Sequence, residues 1–528
     1  MPVILIRSIP TFPVPAAFKK CKILFPLPKA SFLWEGRFFC CRQNKPFFAP
    51  FFLLILFPMN ASTLYRPLGS TGLSCHPIGF GSYRISEGNT VHESALRHYL
   101  DIGGNLIDTS ANYGDGLSET LIGKVLKDYD RTKIILITKG GYIQGQNMVL
   151  ASHRTFPEVV EYTDDLWHCI HPEFLETQIE RSLRRMQTDV IDVYLLHNPE
   201  YFINHAAKLN PITEMVLDKF YRRIRNAFQF LESQVKTGRI RYYGISSNNF
   251  GAHGKDRART SVQRALVQAE DISPDHHFKI IQLPMNLYEA GGAVYSTHNG
   301  KTALHFCKEK NIGVLINRPL NAFYGNKLYR IADYVKPGES KPGDKELEKV
   351  LLPLKETEDA FASTFGGEAF GSDREGIAAY LKFVAKDLPS GDYWEGVMNQ
   401  YIVPPITHWM RQAQEQFGTN VRWPDWQNRF IQVINQSLDG IERFLSASKQ
   451  SGSDSIRQAL YQSGYPVSKE SLSRIALSLL TQLDGVSCVL NGMRNTDYVS
   501  DAMGISNLPS VDALAITKKY YEKLNTKG

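Results

Sequence analysis

The sequence lacks the marks of several kinds of protein. None of its seven cysteines forms a Cys-x-x-Cys pair or has the spacing of zinc ligands, so neither a disulfide framework nor a metal site is predicted. Its longest apolar run, from Phe47 to Pro58, is too short to span a bilayer. We therefore expect reduced cysteines and no membrane span, which favours the cytoplasm.

Excess positive charge is also missing from most of the chain. The net charge is +7 over 528 residues, but residues 1–58 alone contain eight Lys or Arg and one acidic residue, Glu35. The remainder is therefore formally neutral, whereas a nucleic-acid-binding body usually carries a basic field. We predict no nucleic-acid partner. The sequence does not indicate an oligomeric state.

Residues 1–58 are predicted to lie outside the fold, because they are rich in Phe, Pro and Lys and show no regular periodicity. Basic residues precede the apolar run as in a signal peptide, although the run begins late. The near absence of acidic residues is typical of a transit peptide instead. A third interpretation is that Met59 is the natural start.

From residue 64 onward, short apolar runs alternate with amphipathic helical patterns, such as the one over Pro172–Met186. The predicted strands are Pro77–Phe80, Asn105–Asp108, Lys133–Thr138, Val190–Leu196, Arg241–Ile245, Ile280–Leu283, Gly313–Ile316 and Val486–Leu490. Eight strand–helix repeats whose strands are apolar on both faces favour an α/β fold, a (β/α)8 TIM barrel. A doubly wound sheet is the alternative, but the sequence has neither a GxGxxG turn nor a GxxxxGK[ST] loop.

Two segments interrupt this alternation. Residues 141–171 separate the third strand from its helix without strong periodicity, and residues 326–465 separate the seventh strand from the helix Ser471–Leu483. A segment as long as 326–465 does not stay structureless in a compact domain, so we predict a helical subdomain whose aromatic residues pack in its own core. Its helical patterns include Asp373–Leu388, Tyr393–Phe417 (interrupted by Pro404 and Pro405) and a helix that begins near Trp423.

The position of this subdomain predicts a role for it. It leaves the carboxyl end of the seventh strand, which in a barrel lies on the catalytic face. We therefore expect residues 326–465 to form a lid over the barrel mouth. The alternative is a module that folds outward and serves as an oligomer contact.

Four polar residues lie at or just after the ends of successive predicted strands: Asp108, Tyr113, Lys139 and His197. Each alone has a structural explanation: a helix cap, a core residue, a solvated lysine or a hydrogen-bonded interior histidine. Barrel enzymes, however, place their chemistry at the carboxyl ends of the strands. Together the four residues predict a catalytic site.

The stretch from Gly104 to Glu119, which contains Asp-Thr-Ser-Ala-Asn-Tyr-Gly, resembles the signature of the aldo-keto reductase family. The segments Leu64–Ser74 and Pro77–Tyr83 resemble that family's amino-terminal hairpin and first strand. The resemblance covers residues 64–325 and 466–528, which we expect to form the barrel domain. It implies an oxidoreductase that reduces a small aldehyde or ketone to an alcohol with NADPH.

The resemblance assigns the catalytic roles to Asp108, Tyr113, Lys139 and His197. A free tyrosine has a pKa of about 10 and is a weak acid at neutral pH, so Lys139 is expected to lower the pKa of Tyr113. Asp108 would keep Lys139 charged and oriented, and His197 would hydrogen-bond the substrate carbonyl. Tyr113 is then the general acid in reduction and the base in the reverse direction, and no metal is required.

The resemblance also implies a cofactor site. Hydroxyl and amide groups would hold the nicotinamide carboxamide, with Asn248 as an alternative if the register shifts. The turn Arg318–Lys327 would hold the pyrophosphate, and Arg494 at a helix start would bind a 2′-phosphate, which favours NADP over NAD. The expected cofactor-binding residues are Gly81, Ser82, Asp108, Ser246, Ser247, Gln282, Asn317, Arg318, Leu320, Lys327, Gly492, Arg494 and Tyr498.

The sequence departs from the family pattern at two places. Asn317 stands where many relatives carry an aromatic residue that stacks on the nicotinamide, and Tyr498 and Ala502 stand where relatives carry Gln and Asn for the adenine. Two other functions stay open. One is a non-catalytic, NADP-binding regulatory protein on the same barrel, and the other is an isomerase that cycles bound NADP on one substrate.

Overall fold

The computed structural model describes residues 65–324, 327–335, 343–366, 376–388, 394–447 and 449–525. The predicted extension 1–58 lies outside the described residues. The chain divides into a larger unit that contains Asn60–Gly338 and Ser451–Gly528, and a smaller unit that contains Glu339–Gln450.

The larger unit is a (β/α)8 barrel. Its eight strands pair in parallel in the order β3, β4, β5, β9, β10, β11, β12 and β15, and β15 pairs with β3 to close the ring. Closure confirms the predicted barrel and excludes the doubly wound sheet, and each predicted strand overlaps a barrel strand. The strands of the chain are β1 (Arg66–Pro67), β2 (Ser74–Cys75), β3 (Ile78–Gly81), β4 (Leu106–Asp108), β5 (Ile135–Gly140), β6 (Tyr142–Ile143), β7 (Val160–Thr163), β8 (Leu166–His168), β9 (Ile191–His197), β10 (Ile240–Ser246), β11 (Phe278–Pro284), β12 (Gly313–Asn317), β13 (Asn321–Tyr324), β14 (Lys327–Arg330) and β15 (Cys488–Gly492).

Most residues of the barrel strands are buried on both faces, as their largely apolar runs predict, although Arg241 in β10 is exposed. In β9, Val193 and Leu195 belong to the core inside the barrel, whereas Tyr194 and Leu196 pack in the layer between strands and helices. Successive side chains of a strand point to opposite faces, so one strand supplies both layers.

The helices follow the predicted pattern closely in the barrel. Helix α4 has the predicted bounds, with Pro172 in its first turn, and α16 begins after Ser471, whose hydroxyl caps it. The helices are α1 (Thr90–Asp101), α2 (Leu117–Leu126), α3 (Gln146–His153), α4 (Pro172–Met186), α5 (Tyr201–Leu209), α6 (Glu214–Lys236), α7 (Val262–Glu270), α8 (Gly291–Val294), α9 (Ala303–Glu309), α10 (Asp344–Phe365), α11 (Ile377–Asp387), α12 (Trp394–Val397), α13 (Val403–Phe417), α14 (Trp423–Ala447), α15 (Gln450–Gln462), α16 (Leu472–Thr481), α17 (Thr496–Met503) and α18 (Ala513–Asn525).

The segment 141–171 forms a small subdomain between β5 and α4. Strands β6, β8 and β7 build a three-stranded antiparallel sheet, and α3 follows β6. These strands have two to four residues, which is too short for a periodic pattern to develop.

The smaller unit is helical and has its own core. Trp426 stacks on Phe430 with ring centroids 5.0 Å apart, and Trp423 lies 5.4 Å from Trp426. All three side chains are buried. The aromatic residues of this insertion therefore pack among its own helices, α10 to α14.

This helical unit is shorter than the predicted 326–465, because both ends of that range belong to the barrel unit. Strands β13 and β14 form a hairpin directly after β12. At the other end, α15 packs on the barrel through Leu460, and Arg457 forms an ion pair with Asp333 over 2.7 Å. The proposed lid function of the insertion stays a prediction.

Two further features of the described residues concern membranes and metals. Of the helices described, none combines the length and the apolar character that crossing a bilayer requires. Within the described ranges, no three His, Cys, Asp or Glu residues come together as a possible metal site.

Candidate active site

The four predicted catalytic residues lie at the carboxyl ends of three neighbouring strands. Asp108 is the last residue of β4, Lys139 lies near the end of β5, and His197 ends β9. Tyr113 begins a single 3-10 turn after β4, Tyr113–Gly116, in which Gly114 and Gly116 adopt positive φ. The turn returns the chain toward α2 and leaves the Tyr113 ring beside the strand ends.

Lys139 is the centre of this group. Its ammonium donates hydrogen bonds to Asp108 Oδ2 at 2.7 Å and to the carbonyl oxygen of Thr109 at 2.9 Å, and it lies 3.4 Å from the Tyr113 hydroxyl. The Lys139 side chain is fully buried. Burial lowers the pKa of Lys139, but Asp108 and Tyr113 more than compensate, so its pKa lies above the usual value. The lysine is therefore charged at neutral pH.

The pKa of Tyr113 differs from the expectation. Burial raises it, the Lys139 ammonium lowers it, and Asp108 raises it again, so that the pKa lies above its ordinary value. The sequence-based expectation of a lowered pKa considered the lysine alone. Tyr113 is consequently protonated at neutral pH, as a proton donor must be.

His197 forms a hydrogen bond with the described residues through only one of its two ring nitrogens. Its Nδ1 lies 2.9 Å from the Ser110 hydroxyl, and its Nε2 makes no hydrogen bond with the described residues. Burial, the Lys139 ammonium and His168 hold the pKa of His197 well below 6.5. The imidazole is therefore neutral, and one nitrogen is available to a substrate oxygen.

Asp108 also connects the site to the expected cofactor residues. Its Oδ1 accepts a hydrogen bond from Gln282 Nε2 at 2.8 Å. Because a carboxylate only accepts, the Gln282 oxygen must face the other way, where it accepts from the Ser246 hydroxyl and the Asn317 amide, each at 3.0 Å. The structure thus brings Ser246, Gln282 and Asn317 together beside Asp108.

Ser247 is directed elsewhere. Its hydroxyl donates to Thr260 Oγ1 at 3.1 Å and accepts from the backbone N–H of Asn249, on the opposite face from the Ser246 side chain. The alternative, Asn248, donates its backbone N–H to Glu200 at 2.7 Å. Burial raises the pKa of Glu200 to about 7, and the sequence analysis did not single out this residue, although it closely follows His197.

Two neighbouring strand ends carry no side chain at all. Gly81 of β3 lies opposite Gly492 of β15. A Cβ at Gly81 would come within 3.1 Å of the Asn491 oxygen, whereas nothing lies within 4 Å of the Cβ position of Gly492. Ser82 is buried; its backbone N–H donates to the Asp108 carbonyl oxygen, and its hydroxyl accepts from the Ser118 hydroxyl. Gly81 therefore permits the close approach of β3 to β15, and the space beside Gly492 leaves room for a ligand.

Residues of the predicted pyrophosphate turn make contacts with other residues of the chain. Arg318 forms an ion pair with Glu289 at 2.7 Å, and its guanidinium lies 5.0 Å from the Phe323 ring centroid. The carbonyl oxygen of Leu320 accepts from Ile331. Lys327 begins β14, and its side chain lies outside the described residues. The charge of Arg318 is therefore balanced within the chain.

Arg494 differs from Arg318 in this respect. It precedes Asn495, which caps α17 by accepting from the Tyr498 N–H at 2.8 Å. Arg494 has no ion pair with the described residues, and Tyr498 is 42% exposed. An uncompensated guanidinium beside a helix start suits a phosphate group.

The model of the Aldo/keto reductase family matches residues 77–363, more than half of the chain. Aldo-keto reductase YhdN of Bacillus subtilis is 29% identical over 232 residues, which cover 43% of this chain and 54% of that protein. NADH-specific methylglyoxal reductase of Escherichia coli is 29% identical over 28% of this chain and 47% of its own length. The chain spans about half the length of these curated relatives.

Among solved structures, an aldo-keto reductase of Bacillus halodurans in its holo form superposes with a TM-score of 0.44 at 18% identity, over 87% of this chain and 95% of that one. An aldo/keto reductase of Klebsiella pneumoniae in complex with NADP and acetate gives a TM-score of 0.41 at 14% identity, over 86% and 94% of the two chains.

Proposed function

Because the chain belongs to the aldo/keto reductase family, we propose that it reduces a small aldehyde or ketone to an alcohol, with NADPH as the reductant. The observation that carries the proposal is the buried Lys139 ammonium, which lies between Asp108 and the Tyr113 hydroxyl. The neutral His197, with its unengaged Nε2, supports the same function.

The chemistry follows from these contacts. When bound, the nicotinamide cofactor supplies the hydride to the carbonyl carbon. Tyr113 transfers its phenolic proton to the carbonyl oxygen, which stays bonded to carbon as the hydroxyl of the alcohol product, and the phenolate then regains a proton from solvent. Lys139 stabilises the phenolate while it exists. His197 donates a hydrogen bond to the carbonyl and orients it. Since Tyr113 is protonated at neutral pH, the site is better prepared for reduction than for oxidation.

Several residues fit a nicotinamide cofactor. Ser246, Gln282 and Asn317 present hydroxyl and amide groups of the kind that recognise a carboxamide. Gly492 leaves the end of β15 open. Arg494 is the group proposed to bind a 2′-phosphate, whereas Arg318 is engaged with Glu289.

The proposal predicts consumption of NADPH with reactive aldehydes. The test is a panel of aldehydes and ketones with the purified full-length protein, followed by the loss of NADPH absorbance. We expect steady turnover with at least one aldehyde. Cofactor binding without turnover of any carbonyl would contradict the proposal and favour the non-catalytic regulatory protein instead.

The choice between NADPH and NADH is tested at Arg494, since one relative is named as NADH-specific. Arg494→Ala should weaken NADPH binding by about 10–100-fold, the value of a charge-assisted contact of about 1.5–3 kcal/mol. NADH lacks the 2′-phosphate, so its dissociation constant should change little. Fluorescence titration with both cofactors measures the two effects.

Arg318→Ala is the matched control. Because Arg318 is already paired with Glu289, its loss should not discriminate between the two cofactors. Equal losses of NADPH and NADH affinity in Arg494→Ala would remove Arg494 from the 2′-phosphate site.

A further inference from the structure

The role of His197 depends on which of its nitrogens carries the hydrogen. A neutral imidazole has one N–H, so one nitrogen donates and the other accepts. A substrate carbonyl offers only lone pairs. Nδ1 is engaged with Ser110, so His197 can donate to a carbonyl only from Nε2. The hydrogen must then lie on Nε2, and Nδ1 is an acceptor.

Nδ1 of His197 lies at one end of a short chain of hydrogen bonds. Nδ1 of His197 lies 2.9 Å from the Ser110 hydroxyl, which lies 2.7 Å from Asn112 Oδ1. Asn112 Nδ2 in turn lies 3.4 Å from Gln144 Oε1, directly after β6. The Ser110 hydroxyl has a single hydrogen, so it cannot donate to both His197 and Asn112.

This chain of hydrogen bonds can run in two directions. If Ser110 donates to Asn112, or to the carbonyl oxygen of Lys139 at 3.4 Å, His197 keeps its hydrogen bond to Ser110 only by donating from Nδ1, and its Nε2 then has no hydrogen. If the amides of Asn112 and Gln144 are turned over, Asn112 donates to Ser110, Ser110 donates to Nδ1, and Nε2 carries the hydrogen. The positions of the heavy atoms are the same in both cases, because an amide exchanges oxygen and nitrogen by rotation.

Two residues contact His197 in addition to Ser110. His168 Nε2 donates to the backbone oxygen of His197 at 2.7 Å, and the Tyr142 ring meets the imidazole edge-on with centroids 4.7 Å apart. Both residues, like Gln144, come from the segment 141–171. The inserted segment thus contacts the backbone of His197 through His168 and its ring through Tyr142, and the position of the hydrogen depends on Ser110 and Asn112.

We propose that Ser110 and Asn112 are positioning residues that set the tautomer of His197, and that carbonyl reduction uses the direction in which Asn112 donates to Ser110. This inference rests on the proposed function, since only a carbonyl substrate requires a donor at Nε2. It assigns a task to Ser110 and Asn112 that neither residue performs by touching substrate or cofactor.

Asn112→Asp tests the inference with almost no change of shape. A carboxylate accepts but does not donate, so it takes the Ser110 hydrogen and forces the hydrogen of His197 onto Nδ1. We expect kcat for carbonyl reduction to fall by about 10²–10³, as when one donor to a developing oxyanion is lost. KM for NADPH should stay the same. Ser110→Ala leaves the imidazole free to adopt either tautomer and should cost about tenfold at most.

The double variant Ser110→Ala/Asn112→Asp separates the hydrogen-bond route from the new charge. It keeps the carboxylate but removes the hydroxyl that connects it to His197. We expect its activity to rise above that of Asn112→Asp, to the level of Ser110→Ala. A double variant as slow as Asn112→Asp would show that the charge acts directly, and would overturn the inference.

A measurement without turnover completes the test. In protein with ¹⁵N-labelled histidine, the His197 signal is assigned by its absence in His197→Gln. Asn112→Asp should give a hydrogen-free, pyridine-like Nε2, and Ser110→Ala should not. Identical His197 signals in the wild type and Asn112→Asp would overturn the inference. If no carbonyl is turned over but the tautomer changes as expected, the proposed function fails and the positioning role stands. Melting curves check that each variant is folded.

Discussion

Replacement of Tyr113 by Phe should lower the rate of carbonyl reduction by about 10²–10⁴, the usual contribution of a general acid. The substitution removes only the hydroxyl, which lies 3.4 Å from Lys139 Nζ. The ring and its contacts with Tyr83 and His197 stay in place. Cofactor affinity, measured by fluorescence titration, should therefore be near normal while single-turnover reduction is slow.

Tyr83 supplies the matched control. Its ring centroid lies 5.3 Å from that of Tyr113, and its side chain is exposed. Tyr83→Phe also removes a phenolic hydroxyl close to Tyr113, but not the hydroxyl that lies beside Lys139. Turnover should therefore change by no more than a few-fold. If Tyr113→Phe reduces carbonyls as fast as the wild type, Tyr113 is not the acid.

The pH profile should identify the same hydroxyl. The pKa of Tyr113 is raised, so its acid form persists through neutral pH and is lost only as the pH rises above about 10. The pKa of His197 is lowered, so the imidazole stays neutral until the pH falls well below 6.5. Reduction should therefore be independent of pH between these limits, and Tyr113→Phe should lack the alkaline decline.

The barrel was predictable because its strands leave a local signature. In β9 every residue from Ile191 to His197 is buried, and the run is apolar except for Asp192 and His197. Such largely apolar runs, repeated between amphipathic helices, indicate a parallel sheet. The strand ends then located Asp108, Tyr113, Lys139 and His197, and the resemblance to the family assigned their roles. The antiparallel sheet of β6, β7 and β8 left no such signature, because its strands are too short.

Other features depend on contacts between distant parts of the chain. Arg318 was expected to bind pyrophosphate, but Glu289, which balances its charge, lies 29 residues earlier. Ser246 and Ser247 are equivalent in the sequence, and only the register of β10 directs Ser246 to Gln282 and Ser247 to Thr260. Helix α10 was not predicted, and it contains Pro353, a residue that normally marks a helix end.

Lys139→Met should damage stability and activity together. Lys139 is fully buried, and its partner Asp108 has a side chain that is 5% exposed. Without the ammonium, Asp108 keeps the hydrogen bond from Gln282 but becomes an unpaired buried charge. Breaking such a pair typically costs about 3–5 kcal/mol of the free energy of unfolding. Reduction should slow by about 10²-fold, since the Tyr113 phenolate loses its charged partner.

The loss of stability should depend on pH in a defined direction. In the wild type, burial raises the pKa of Asp108 although Lys139 and Gln282 lower it. In the variant, burial without a counter-ion should raise the folded-state pKa further above the unfolded value of about 3.9. A raised folded pKa means that protonation favours the folded state. The difference in unfolding free energy between variant and wild type should therefore be largest at neutral pH and shrink as the pH falls, because protonation removes the unpaired charge. Urea unfolding at several pH values measures it.

Two controls separate the effect of the buried charge on stability from the effect of Lys139 on proton transfer. Lys124→Met breaks an exposed ion pair with Glu93, which should cost at most about 1 kcal/mol and leave turnover unchanged. Asp108→Asn/Lys139→Met removes both buried charges and keeps an oxygen for the Gln282 amide, so much of the stability should return. Its reduction rate should stay low, since Tyr113 still lacks the ammonium. If the double variant regains its rate along with its stability, Lys139 serves the fold and not the proton transfer.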